Sequence, residues 1–373
     1  MATTTPSTAE LPATMRAWVY TTTHGGIEKT MKIVPDYPVP EEFRTLAPPP
    51  SGQGDEAVLV RVLAASLNPV DYKLPELPLV GGFVRKMPAT PTFDFCGRVI
   101  KTSSSSSSSQ FQPGQLVAGQ VPMRSPHGAL AEYAVAYSNF IAPVPAGVSV
   151  EQASTVGVCG GTVFAAMVPA IEKAQKNNKD DKTLRVFVNG GSGGVGSFAI
   201  PVAKALGCHV TATCSTANVE HVLRVLGADD VIDYKKTTTS VGDELIRKAQ
   251  QDGPYDVAFD TIGMPFALYK AADHYLAEGG TFPRIGADSL VDVARISLQP
   301  ALLGGGKRAA PFITGRPTPE RLHAVLDLMA QGKLQVPLDG DAVVPFEDAA
   351  RAYARLKTHR ARGKIVIRVA EDN

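Results

Sequence analysis

Asn189-Gly190-Gly191-Ser192-Gly193-Gly194-Val195-Gly196 is the stretch whose reading decides the fold. It contains Gly191-x-Gly193-x-x-Gly196, directly after the apolar run Leu184 to Asn189. Directly behind it comes a helical pattern, Val195 to Leu206, which Gly207 ends. A glycine-rich turn alone is common; a strand before it and a helix after it make it a dinucleotide-binding fingerprint. Missing side chains let the main chain approach a pyrophosphate, and N–H groups at the helix N-terminus donate to it with dipole support. The candidate contacts are Gly191, Ser192, Gly193, Gly194 and Val195. Pro201 falls inside the helical pattern, where it removes a hydrogen bond or bends the helix.

Outward from this loop, strand and helix patterns alternate. His209 to Cys214 reads as a strand, Asn218 to Leu226 as a helix and Asp230 to Tyr234 as a strand. A helix over Val241 to Gln251, a strand over Tyr255 to Thr261 and a helix over Ala267 to Leu276 follow. Gly279-Gly280 then leads into a strand over Thr281 to Gly286. Such alternation builds a parallel sheet with helices on both faces.

The flanks have a different texture. Between Met15 and about Ala146 the chain reads as short strands, among them Met15 to Tyr20, Ala57 to Ala65, Gly97 to Lys101 and Gln115 to Gly119. Residues 35 to 54 are rich in proline and predict an extended surface excursion with no regular element. Ser103 to Ser109 is an unbroken serine run, which buries no apolar area and predicts a mobile hairpin tip. After the alternating region come a helix, Pro319 to Gln331, a short helix near Phe346 to Leu356, and a final strand, Lys364 to Val369. The fold class is therefore α/β, with a doubly wound domain over 150–306 inserted into a β-rich domain made of 15–149 and 307–373. Residues 1–14, dominated by Thr, Ala, Pro and Ser, are expected to be a disordered tail.

A chain of 373 residues accommodates two cores. With 44% hydrophobic and 20% charged residues it has globular composition. Lys plus Arg is 37 against 36 Asp plus Glu, so the net charge of +1 gives no electrostatic case for nucleic acid or an anionic membrane surface. No apolar run approaches the roughly 20 residues of a membrane span. Cys96, Cys159, Cys208 and Cys214 are scattered and form no C-x-x-C pair, which fits reduced thiols. Together with the absence of a signal or presequence pattern, this points to the cytoplasm.

The end of the second strand of the alternating region discriminates between dinucleotides. A site for NAD places an acidic residue there, on the ribose hydroxyl. Here the sequence is Cys214-Ser215-Thr216-Ala217-Asn218, with hydroxyl and amide groups and no carboxylate. Arg224 lies along the next helical pattern, and Tyr234-Lys235-Lys236 closes the next strand. These residues favour NADPH.

The chain resembles the medium-chain dehydrogenase/reductase superfamily, in its zinc-independent quinone-oxidoreductase and enoyl-reductase branch. The resemblance runs from Met15 to Val369, through Asn68-Pro69-Val70-Asp71-Tyr72-Lys73, Pro91-Thr92-Phe93-Asp94-Phe95-Cys96-Gly97 and Gly128-Ala129-Leu130-Ala131-Glu132-Tyr133. Gly160-Gly161-Thr162, the glycine loop, Leu226 to Tyr234 and Gly363-Lys364-Ile365-Val366 complete the series in order. The resemblance implies that the β-rich domain is GroES-like and the inserted one a Rossmann domain. It implies that Asn68 and Thr162 face the nicotinamide, that Ser215, Thr216 and Tyr234 surround the adenosine phosphate with Asn218, and that Thr261, Ile262, Ile285, Gly363 and Lys364 complete the cleft. Zinc alcohol dehydrogenases of the superfamily have Gly-His-Glu where this chain has Phe93-Asp94-Phe95-Cys96, and the four closely spaced cysteines of their structural zinc are missing. No metal is expected.

Without a metal, hydrogen-bond donors must polarise the substrate. The expected reaction is hydride transfer from NADPH to the β-carbon of an activated double bond in an enone, enoyl thioester or quinone. Asn68, Tyr72 and Lys73 are the candidate catalytic side chains. The apolar, irregular stretches Leu74 to Thr90 and Leu298 to Phe312 are expected to border the substrate, which suits a hydrophobic small molecule or a carrier-bound chain. Fungal trans-acting enoyl reductases look similar at this level. Two alternatives remain open at this point: a non-catalytic NADPH-binding interaction protein, and an alcohol dehydrogenase, against which the missing zinc ligands argue. A homodimer through the sheet edge is also implied.

Overall fold

A computed structural model describes residues 11–47, 56–77, 81–104, 109–263, 266–285 and 306–372. The chain divides into two compact units, 1–158 with 317–331 and 338–373, and 159–316 with 332–337.

The first unit is built around β3 (Ala57–Leu67), after β1 (Thr14–Val19) and β2 (Lys32–Pro38) have formed a separate antiparallel ribbon. The sequence of β3, AVLVRVLAASL, is buried along nearly its whole length because both faces are covered. Strand alternation sends Val58, Val60 and Val62 into one core with Phe93, Phe95 and Tyr353, and Ala57 and Leu59 into another with Met15, Ala17 and Phe43. The sheet continues through β4 (Asp94–Thr102), β5 (Leu116–Gln120), β6 (Tyr133–Tyr137) and β7 (Ile141–Pro143). β3 pairs with both β4 and β6, and β5 joins β4 to β7.

The proline-rich excursion carries more structure than its composition predicts. β2 spans Pro35, and a helix follows over Glu41–Thr45. Proline is tolerated because β2 is paired on one side only, and the β1–β2 register shifts beside Pro35, between Met15 and Ala17. Order also begins before Met15, since Arg44 donates to the carbonyls of Leu11 and Pro12; the rest of the expected tail lies outside the described residues. Of the serine run, Ser103 exchanges hydrogen bonds with Ala57, and residues 105–108 lie outside the described residues.

The second unit holds a parallel five-stranded sheet. Its strands are β8 (Arg185–Asn189), β9 (His209–Cys214), β10 (Asp230–Asp233), β11 (Tyr255–Asp260) and β12 (Leu276–Thr281), in the order β10-β9-β8-β11-β12. The strand order reverses between β8 and β11, and ligands bind such sheets outside the carboxyl ends of the strands at that point. Helices Gly161–Asn177, Gly196–Ala205, Val241–Asp252 and Phe266–Tyr275 accompany the strands. Gly196–Ala205 runs through Pro201. The apolar helix over 156–177 is long enough to cross a membrane by length and composition, but most of it is buried.

Two elements differ from the sequence reading. The expected helix Asn218 to Leu226 is helical but irregular: a 3-10 turn, Thr216–Asn218, runs through Val219 and Glu220 into a π turn, His221–Val225. The last strand starts at Leu276, not Thr281, and contains Gly279-Gly280, with Gly279 at φ 76. β12 pairs with β11 at Leu276 and Thr281, the glycine pair lies in the register shift between those two pairings, and Arg284 then bridges to Asp260 and to Phe312.

The chain finally returns to the first unit with β13 (Val344–Pro345) and β14 (Ile365–Arg368), which lies against β3. The boundaries fall later than the expected 150 and 307. Ser66 donates to the carbonyl of Ser154, which ties residues 150–158 to the first unit, while Ala309 and Phe312 pair with Thr281 and Arg284 and keep their segment in the second.

Candidate cofactor and polar-hub sites

In the second unit, the glycine loop sits at the end of β8, beside the reversal of strand order. Asn189, the last residue of β8, donates to Asp260 of β11 at 2.8 Å and accepts from the Thr213 hydroxyl of β9 at 2.7 Å. Thr213 also accepts from Gly190 N at 2.9 Å through that hydroxyl, and its carbonyl accepts from Gly191 N at 2.9 Å. Thr261 donates to the Asn189 carbonyl at 2.7 Å, and Ile285 N donates to the Asp260 carbonyl. Three neighbouring strand ends are thereby locked by side chains. Sequence reading gave Asn189 no role beyond ending its strand and passed over Thr213; their signal was a polar residue at or next to the end of each strand.

The glycines have different duties. Gly190 adopts φ 90, and a Cβ there would lie 2.6 Å from the Thr261 hydroxyl oxygen. A Cβ on Gly196 would lie 2.3 Å from the Gly190 carbonyl oxygen, so the turn itself excludes a side chain. At Gly193 the sole neighbour within 4 Å is that same carbonyl oxygen, at 3.8 Å. Packing leaves Gly193 open, which is the property a backbone cradle for a pyrophosphate needs. Ser192 accepts from the Asn218 amide at 3.0 Å, joining the loop to the turn after β9. Val195 accepts the first hydrogen bond of the helix, from Ala199.

Around the end of β9, Ser215 is half-buried and Thr216 exposed. Tyr234 is exposed, with the Lys235 ammonium 5.8 Å from its ring centre. Asp233 was missed in the sequence. Its residual burial opposes ionisation, but hydrogen bonds from the Thr216 hydroxyl and the Lys235 and Lys236 backbone, with the Lys236 charge, hold its carboxyl below the ordinary value. Arg224 pairs with Glu220 at 3.5 Å in solvent. Thr162 is buried near the start of its helix, so close to Gly315 that a Cβ there would lie 1.8 Å from its hydroxyl oxygen. Ile262 is partly exposed and its N–H donates to Asp260.

In the first unit, Asn68, Asp71, Asp94 and Lys364 gather in a fully buried polar hub. The Asn68 amide donates to Asp94 at 2.9 Å, and its oxygen accepts from Lys364 at 2.5 Å. Lys364 also donates to the Leu67 carbonyl at 3.0 Å and stands 3.8 Å from Asp94. Asp94 further accepts from Val158 N at 2.9 Å, and a Cβ on Gly157 would collide with it at 2.3 Å. Asp71 accepts from Asn68 N at 2.6 Å and Phe93 N at 3.1 Å. Burial and the neighbouring Asp94 charge push Asp71 up to about 7. Burial pushes Asp94 up to about 6, against the opposing pull of Lys364 and its hydrogen bonds.

Asn68, which the sequence reading set at the nicotinamide, and Lys364, which it had completing the cleft, thus touch one another. Gly363 precedes Lys364 at φ 76. Tyr72 is buried in the core with the Lys357 ammonium 5.0 Å over its ring, while Lys73 is exposed. Among the described residues no three His, Cys, Asp or Glu side chains gather as metal ligands would. Burial raises the Cys96 thiol far above an ordinary cysteine. The segment 286–305, which includes most of the expected Leu298 to Phe312 border, and residues 78–80 of the other border lie outside the described residues.

Residues 54–146 match the family described as alcohol dehydrogenase GroES-like domain, and residues 226–367 the family described as zinc-binding dehydrogenase. The chain is 36% identical over 369 residues to the trans-enoyl reductase pgmF of Aspergillus terreus, covering 97% of this chain and 98% of that protein. It is 31% identical to a chloroplast envelope quinone oxidoreductase homolog of Arabidopsis thaliana, covering 86% and 92%. Among solved structures, the quinone oxidoreductase from Coxiella burnetii superposes with a TM-score of 0.72 at 25% identity, covering 95% of this chain and 99% of that one.

Proposed function

Because this chain belongs to the medium-chain dehydrogenase/reductase superfamily, with trans-enoyl reductases and quinone oxidoreductases among its relatives, we propose that it is an NADPH-dependent, metal-free reductase of activated C=C bonds or quinones. The observation that carries this reading is the cradle formed by Gly193, the Asn189–Thr213–Asp260 lock and the hydroxyl-lined end of β9. NADPH, when bound, supplies the hydride.

The chain's own residues bind and orient. Gly191 to Val195 would receive the pyrophosphate on backbone N–H groups. Ser215 supplies a hydroxyl where an NAD site has a carboxylate, and the Lys236 charge and the Lys235 backbone N–H offset the charge of Asp233 for a 2′-phosphate. The Asn68–Asp94–Lys364 hub supports the metal-free part of the reading. Asp94 stands where the zinc relatives carry ligands, and its oxygens are already engaged by Asn68 and Val158. With the Asn68 side chain held by Asp94 and Lys364, its role is to fix the turn before Tyr72 and Lys73. The proposed substrate is a hydrophobic small molecule or a carrier-bound chain, and the protein would act as a homodimer in the cytoplasm.

The test is cofactor oxidation by purified protein with NADPH and, separately, NADH, across enones, enoyl thioesters and quinones. Turnover with NADPH and at least one of these classes is expected. Equal rates with NADH would overturn the reading of the β9 end, and failure to bind either dinucleotide would sink the proposal.

A further inference from the structure

The Arg85 guanidinium lies inside the first unit with 1% of its surface exposed. Burial lowers its proton affinity from that of an ordinary arginine. An arginine nevertheless stays charged in a protein, so its charge must be answered where it stands. Its contacts answer it only in part. Nη2 donates to the Thr90 carbonyl, and the guanidinium carbon lies 4.6 Å from the centre of the Phe93 ring. Nε and Nη1 are buried and meet no hydrogen-bond acceptor among the described residues.

Tyr20 adds an independent observation. Its hydroxyl is also buried, with no hydrogen-bond partner among the described residues. The backbone fixes the two together: Tyr20 and Ala89 exchange N–H···O bonds of 2.9 and 3.0 Å, and the next residue, Thr90, holds Arg85. Other polar groups nearby are engaged elsewhere. Thr92 and Tyr353 bond each other at 2.9 Å, and Asp71 spends its two oxygens on Asn68 N and Phe93 N. With burial pushing Asp71 up to about 7, it is a partial counter-charge at neutral pH. Burial holds His127 below an ordinary imidazole, with Glu42 pulling it up and Arg85 adding a smaller push down.

We propose that Arg85 and Tyr20 hold a small monovalent anion of the halide class inside the first unit. One guanidinium supplies one charge. The unpartnered donors, Nε, Nη1 and the phenol, are too few to replace the hydration shell of phosphate or sulfate. Phe93, under the guanidinium, and Ala89, paired with Tyr20, belong to the apolar core, which suits a weakly hydrated ion. The inference is independent of the reductase reading.

Crystals of the full chain soaked in sodium bromide and measured at the bromine edge test it directly. An anomalous peak in contact with Arg85 Nε or Nη1 and the Tyr20 hydroxyl is expected. Bromide elsewhere on the molecule with none, or only water, at Arg85 overturns it. Melting temperatures in bromide against gluconate at constant ionic strength provide the second measurement. Tyr20→Phe should weaken the apparent bromide affinity roughly tenfold, the effect of one hydrogen bond to a charged group, and Arg85→Met should abolish the response. Should Arg85→Met fail to fold, Tyr20→Phe and the bromide map decide. Equal bromide responses in wild type and Tyr20→Phe would mark an adventitious surface effect and overturn the proposal.

Discussion

Gly193 and Gly196 belong to one motif yet answer to different forces. A methyl group on Gly196 would press on a backbone carbonyl at 2.3 Å, which cannot yield without unwinding the turn. Gly196→Ala should therefore destabilise the fold by about 1–3 kcal/mol in urea unfolding. Gly193→Ala has room, so its stability should stay within about 0.5 kcal/mol of wild type, while titration calorimetry should record NADPH affinity lower by about tenfold or more. In the hub, Lys364→Met would leave Asp94 and Asn68 buried without their cation, a loss of about 3–5 kcal/mol. Asp71 makes a pH-dependent prediction. Its folded value, about 7, lies above that of an unfolded aspartate, so its contribution is intact in acid and is lost as pH rises through neutrality. The stability deficit of Asp71→Asn, which forfeits one accepted backbone bond, should accordingly shrink between about pH 5 and pH 8 in parallel denaturation series.

At the scale of elements, the strands with one dominant signal were legible. β3 and β8 are apolar runs between turn signals, and each forms where its composition places it. Elements whose identity depends on neighbours were not. β2 exists because β1 offers it a ladder and Pro35 can sit on an edge beside a register shift. β12 accommodates Gly279-Gly280 in a register shift between its pairings with β11 at Leu276 and Thr281. Gly279 sits at φ 76 in this strand, so Gly279→Ala should cost about 1–2 kcal/mol, measurable by urea unfolding. The helix after β9 starts as a 3-10 turn and widens into a π turn, and the Asn218 amide ties its start to Ser192.

At the scale of the whole molecule, the first unit is discontinuous in sequence. β14 pairs with β3 through Ile365 opposite Leu67, and Lys364 completes the hub. A chain truncated after Arg316 should therefore lose the first unit, observed as loss of the dispersed amide and methyl signals of its cores, while the parallel sheet of the second unit keeps all five strands. With two units present, a single unfolding transition is not assured. NADPH at about 100 times its dissociation constant should raise the melting temperature of the transition that includes the second unit, through about 2.7 kcal/mol of linkage. Gly193→Ala should diminish that shift.

The sequence by itself determined the parallel sheet, the position of the glycine loop on it and the β-rich flanks. These depend on periodicity, on apolar runs and on residues that puncture them, all of which are local along the chain. It also brought Asn68, Thr162, Ser215 and Lys364 into view, through motifs in family order. What only the tertiary structure decided is which of these residues touch. Asn68 and Lys364 are almost three hundred positions apart, and their contact exists because β14 lies antiparallel to β3. The same holds for Asp94, which looks like one acidic residue in a strand until Val158, Asn68 and Lys364 converge on it. Arg85 and Tyr20 are ordinary residues in sequence. Burial, a property of the assembled core, turns them into a charge and a hydroxyl that require a partner.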